Sequence, residues 1–166
     1  MATTILNLNR YDPQPVSREQ AAAEFASFPA HLGRYGDAVA AWQARGGVQV
    51  PDQLIAAALS VYHIIRRYDV AWSTDVRNGL IPMDWEESRR LCRVYGEWRQ
   101  FSVPLARALG PQAVKGEPEE TAAFRDAFLR ASFNAKTDID RLRAANEQAE
   151  RWLAEPAKRK SDAVGR

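Results

Sequence analysis

Asp69 lies in the stretch PDQLIAAALSVYHIIRRYDVAW, residues 51 to 72, whose apolar members Leu54, Ile55, Ala58, Val61, Tyr62, Ile65, Tyr68 and Trp72 fall on one broad arc of a helical wheel. The aspartate falls inside that arc. A carboxylate there is stripped of water, and an unpaired buried charge is costly, so Asp69 calls for an arginine or a tyrosine hydroxyl as partner. Buried carboxylates with shifted titration also mark catalytic centres, which makes Asp69 the one residue on which an enzyme reading can be built. The competing role is structural: an anchor that accepts from an arginine, caps the following turn or reaches solvent.

The other reactive side chains are scattered. His31 falls in PAHLG, which reads as a loop; His63 lies opposite the apolar arc, beside Arg66 and Arg67. Neither belongs to an ExxH or HExxH arrangement, so carboxylate-bridged di-iron and zincin chemistry are unsupported. Cys92 is the single cysteine, which excludes an intramolecular disulfide and a thiolate zinc cage, and it reads as a small packed side chain. The phosphate-loop, dinucleotide and nucleophile-elbow patterns GxxxxGK[ST], GxGxxG and GxSxG are absent. The expectation is a protein that is not an enzyme and needs neither metal nor cofactor.

RRLCRVYGEWRQF, residues 89 to 101, interleaves arginines with aromatics, a composition that suits a nucleic-acid surface if both kinds are exposed. A helical wheel separates them. Leu91, Val94, Tyr95, Trp98 and Phe101 share an arc of about 120°, with Arg89, Arg90, Arg93, Glu97 and Arg99 on the other side. The segment therefore reads as an amphipathic helix with a buried aromatic face. Pro104 falls on its polar side, so the apolar stripe carries on through Leu105 and Leu109.

The elements that position these residues are all helical. Ser17 with Gln20 forms a capping box for a helix over 17 to 28; DAVAAWQAR supplies a second, over 37 to 45, stopped by Gly46 and Gly47. Pro51 and Asp52 open the third, over 51 to 72, and STDVRNGLIPM reads as a turn closed at Asn78 and Gly79. Asp84 with Glu87 begins the fourth, over 84 to 109. Pro118 and two glutamates open the last, over 118 to 154, with apolar positions from Phe124 to Trp152 stepping by three or four. Its second half narrows to Leu142, Ala145, Ala149 and Trp152, while Leu129 and Phe133 give its first half a second apolar edge. Such a helix spans roughly 55 Å, against about 30 to 40 Å for a compact chain of this size. Its end should protrude, or find a partner. The fold class is all-α: a bundle of about five helices with a long, coiled-coil-like C-terminal helix, organised as an extended arm over 1 to 16, one domain over 17 to 155 and a basic tail over 156 to 166.

Charge narrows the function classes. The formal net charge of +2 is concentrated in the last eleven residues, which carry a net +3 and leave the remainder at −1. A nearly neutral body is not the footprint of a protein that tracks phosphates over its whole surface. No apolar run is long enough for a membrane helix, and the N-terminus lacks a basic-then-apolar leader pattern, so the expectation is a cytoplasmic protein with no membrane partner. The leading expectation for function is a non-enzymatic helical interaction subunit that contacts a protein partner, or a second copy of itself, through Leu142, Ala145, Ala149 and Trp152. The alternative is a nucleic-acid-binding accessory protein using Arg89 and Arg93 with Lys158, Arg159 and Lys160.

Overall fold

The computed structural model describes residues 15–109 and 119–154, the side chains of 119–121 excepted. The order is α1 (Arg18–Ala26), α2 (Phe28–Ala44), α3 (Asp52–Arg77), α4 (Trp85–Leu109) and α5 (Glu119–Leu153), with no strand among the described residues. The chain is an all-α bundle with a long C-terminal helix. Most of the expected N-terminal arm, and all of the basic tail with Lys158, Arg159 and Lys160, lie outside the described residues.

α3 is the axis of the bundle and touches each of the other four helices. Its buried face runs through Leu54, Ile55, Ala58, Leu59, Val61, Tyr62, Ile64, Ile65, Asp69 and Trp72. α4 and α5 share the most extensive helix contact and run antiparallel. Their direction is fixed by three pairings down their length: the Ser88 hydroxyl donates to Asn146 Oδ1 at 2.7 Å, the Cys92 thiol faces the Ile139 carbonyl at 3.8 Å, and the Trp98 ring meets Phe128 edge-on at 6.2 Å. Trp98 also donates its indole N–H to the Ala58 carbonyl at 2.8 Å, so the largest fully buried side chain spends its one polar atom holding α4 against α3.

The aromatics of residues 89 to 101 lie in the core. Leu91, Tyr95 and Trp98 are fully buried, while Arg89 and Arg93 are exposed on the opposite face. The helix continues through Pro104, whose missing N–H leaves the carbonyl of exposed Gln100 to solvent, and Leu105 and Leu109 extend the buried stripe.

Three boundaries differ from expectation. α2 begins at Phe28, not at residue 37, so His31 is a helical residue whose Nδ1 accepts from Arg34 at 2.9 Å. Pro29 is tolerated because it occupies the first turn, where its missing N–H has no helical partner. Gly36 lies inside this helix as a notch: a Cβ there would stand 2.8 Å from the Phe101 ring, so the glycine lets α2 and α4 close on each other. α3 continues to Arg77 because nothing in STDVR interrupts it before Gly79 takes a left-handed φ of 74°. Phe133, expected on a second buried edge of α5, is 70% exposed, because only the edge nearer Phe128 and Leu129 reaches the core.

Candidate functional site: an ion cluster between three helices

Asp69 is 1% exposed and lies two turns before the end of α3, well inside the helix. Helical spacing supplies its first neighbours. Arg66, three residues earlier, brings Nη1 to 3.6 Å of Oδ2, and Ser73, four residues later, donates its hydroxyl to Oδ1 at 2.9 Å. α4 adds the Tyr95 hydroxyl, which donates to Oδ2 at 2.7 Å. α5 completes the group with Asp138, which accepts from Arg66 at 3.1 Å, and Arg141, which reaches Asp69 at 3.5 Å and Asp138 at 3.5 Å. Two carboxylates and two guanidiniums thus form a neutral quartet, with a phenol and a hydroxyl satisfying the remaining lone pairs of Asp69.

The electrostatics follow from this packing. Burial pushes the Tyr95 phenol well above its usual range, and the neighbouring Asp69 and Asp138 carboxylates push it further, so Tyr95 stays a protonated donor. Burial also raises the Asp138 carboxyl, with Asp69 adding to the rise and Arg66 and Arg141 opposing it. At Arg66 burial works against the charged form, but Tyr95 and Asp138 outweigh it and hold the guanidinium above its ordinary value. A cavity of about 270 Å³ borders the cluster, lined by Arg66, Asp69, Val70, Ser73, Arg77, Asp138 and Arg141. Each titratable group has its charge matched inside the quartet, so the arrangement can lock α3, α4 and α5 in register.

The structure brings Asp69 together with both partner types that its position demanded. Asp138 and Arg141 went unread in the sequence, although a signal was present: Asp138 lies seven residues after Ala131 and seven before Ala145, directly on the apolar line of α5, and Asn146 repeats the conflict one turn on. His31 and His63 remain apart from the cluster. Cys92 is half-buried, and burial raises its thiol, which keeps it in its unreactive protonated form. Among the described residues no group of three or more His, Cys, Asp or Glu side chains could hold a metal ion, and no helix is long and apolar enough to cross a membrane.

The expected contact stripe of α5 is divided by the fold. Leu142 and Ala149 are buried and Ala145 is half-buried within the chain itself, where α4 covers them. That part of the stripe is consumed by the bundle and is not available to a partner. Beyond Ala149 every described residue is exposed, with Trp152 at 63% and Leu153 at 59%. The antiparallel pairing of α4 with α5 puts the loop between α3 and α4 at this same end, where Leu80 is 70% and Met83 39% exposed. Compared with known proteins, the chain matches no family model, no curated protein and no solved structure.

Proposed function

We propose that the chain is a non-enzymatic helical interaction subunit, and that its contact surface is the end of the bundle formed by the last turns of α5 and the α3 to α4 loop. The observation that carries the reading is the gathering of Leu80, Met83, Trp152 and Leu153 at one end, each exposed although large and apolar. Contiguous apolar surface of this kind marks a protein contact more often than a solvated face. The occupant we assign is a second copy of the chain. Around Trp152 the exposed charges are Arg143 and Arg151 against Glu147 and Glu150, two of each sign, so an identical surface meets no net repulsion on approach in a two-fold contact.

The test is size-exclusion chromatography with light scattering on the full-length chain, followed at two absorbance wavelengths. The reading expects a dimer free of nucleic acid, converted to monomer by Trp152→Glu with Leu153→Glu. A wild-type monomer overturns it. If that monomer carries nucleic acid shed by moderate salt, the exposed Arg89 and Arg93 become the surface to examine, since phosphate contacts weaken steeply with salt.

A further inference from the structure

A second cavity of about 590 Å³, within the size range of small-molecule sites, lies between α3 and α5 and is closed at one side by residues 15–18 where the chain enters α1. Small side chains make the space. Ala71 of α3 faces Ala127 and Ala131 of α5, and Tyr62 and Val70 complete an apolar wall. Around that wall stand four guanidiniums, of Arg18, Arg66, Arg67 and Arg130, against one lining carboxylate, Asp75.

These arginines hold donor capacity in reserve. Arg18 meets Asp75, Arg66 meets Asp69 and Asp138, and Arg67 meets Glu24, in each case through a single nitrogen of the fork. At Arg18 the shortfall is explicit: Nη1 is 3.3 Å from Asp75 yet buried, and it makes no hydrogen bond among the described residues. A buried donor without an acceptor is uncommon and points to a missing partner. The first residues of α1 add the positive end of a nine-residue helix at the same place.

We infer that this cavity binds a small organic phosphate, its phosphoryl group held by Arg18, Arg130 and the start of α1, and its apolar body seated on the alanine wall between α3 and α5. A phosphate monoester suits the site better than a monoanion because planar guanidiniums meet its oxygens in pairs and several of them need compensating at once. The inference is independent of the contact at the far end of α5.

Isothermal titration calorimetry on the full-length chain tests it, with phenyl phosphate, inorganic phosphate and phenol as probes. Phenyl phosphate should bind one to one and about tenfold tighter than inorganic phosphate, with phenol not binding measurably. Ala71→Leu, which fills the wall, should erase the advantage of the phenyl ring while leaving inorganic phosphate unchanged. Arg18→Gln and Arg130→Gln should each weaken both phosphates about tenfold. They lie on different helices, so either one serves if the other fails to fold. Arg93→Gln, the same charge loss on an exposed face of α4, should change nothing. Absence of saturable phenyl phosphate binding overturns the inference, as does an undiminished ring advantage in Ala71→Leu or a loss in Arg93→Gln equal to that in Arg18→Gln.

Discussion

The two halves of α5 carry one continuous apolar pattern but meet different surroundings. From Ala123 to Ala149 the helix lies against its neighbours, with Phe128 and Ala135 fully buried and Asp138 tied to α3 through Arg66; from Glu150 on it leaves them, and Trp152 and Leu153 face solvent. The pattern alone does not distinguish the halves. What separates them is that α4 begins at Trp85, so there is no facing helix beyond the level where Ser88 meets Asn146. A repeat of three and four therefore specifies a face that wants covering, and the lengths of the other helices decide how much of it the chain covers itself.

The largest effects should come from the covered half. Phe128→Ala removes a fully buried ring packed on Trp98, and chemical denaturation should register a loss of about 3 to 5 kcal/mol. Asp69→Asn leaves Asp138 alone against two guanidiniums and should cost a similar amount, about 3 to 5 kcal/mol, as for other broken buried ion pairs. If it costs under 1 kcal/mol, taken as the usual limit for an exposed pair, the quartet is not what holds α3 to α5.

Tyr95→Phe should cost less, about 1 to 3 kcal/mol, because it removes one donor to Asp69 and keeps the ring and the arginines in place. Comparison of its urea midpoint with that of Asp69→Asn ranks the phenol against the charge.

Titration offers a finer distinction. The folded Asp138 carboxyl is raised, so its protonated form is favoured by folding: that contribution is fully present below the ordinary carboxylate range and is lost as pH rises through the folded value. The stability of the wild type relative to Asp138→Asn should fall as pH rises from the acid side, and a rise instead would mean that Arg66 and Arg141 dominate burial. At the alkaline end, burial and the neighbouring Glu87 push Tyr68 up to about 12, so its contribution is kept below about pH 10 and lost on passing pH 12. Tyrosinate absorbance followed alongside circular dichroism reads this directly.

The smallest effect on folding should come from the uncovered half. Trp152→Ala should change the stability of the isolated chain by no more than about 0.5 kcal/mol, measured at high dilution, as for other exposed positions. Its effect should appear in the association state instead, and a large loss of monomer stability would join the end of α5 to the covered half.

Much of the fold was legible because helix ends and apolar faces are local properties. Ser17 accepting from the Gln20 N–H, Gly46 and Gly79 at positive φ, and the segregation of Tyr95 and Trp98 from Arg89 and Arg93 all follow from side chains a few residues apart. Local rules misplaced the start of α2 for a non-local reason: Gly36 reads as a breaker until Phe101, sixty-five residues later, occupies the space where its Cβ would be. The same division runs through the site. That Asp69 needs a partner was determined by its place on the arc of α3, since dehydrating a carboxylate is costly wherever it happens. Which groups answer that need, Tyr95, Arg141 and the Arg66 shared with Asp138, was decided only when α4 and α5 came to lie antiparallel beside α3, because charge pairing acts through space between residues that the order of the sequence keeps far apart.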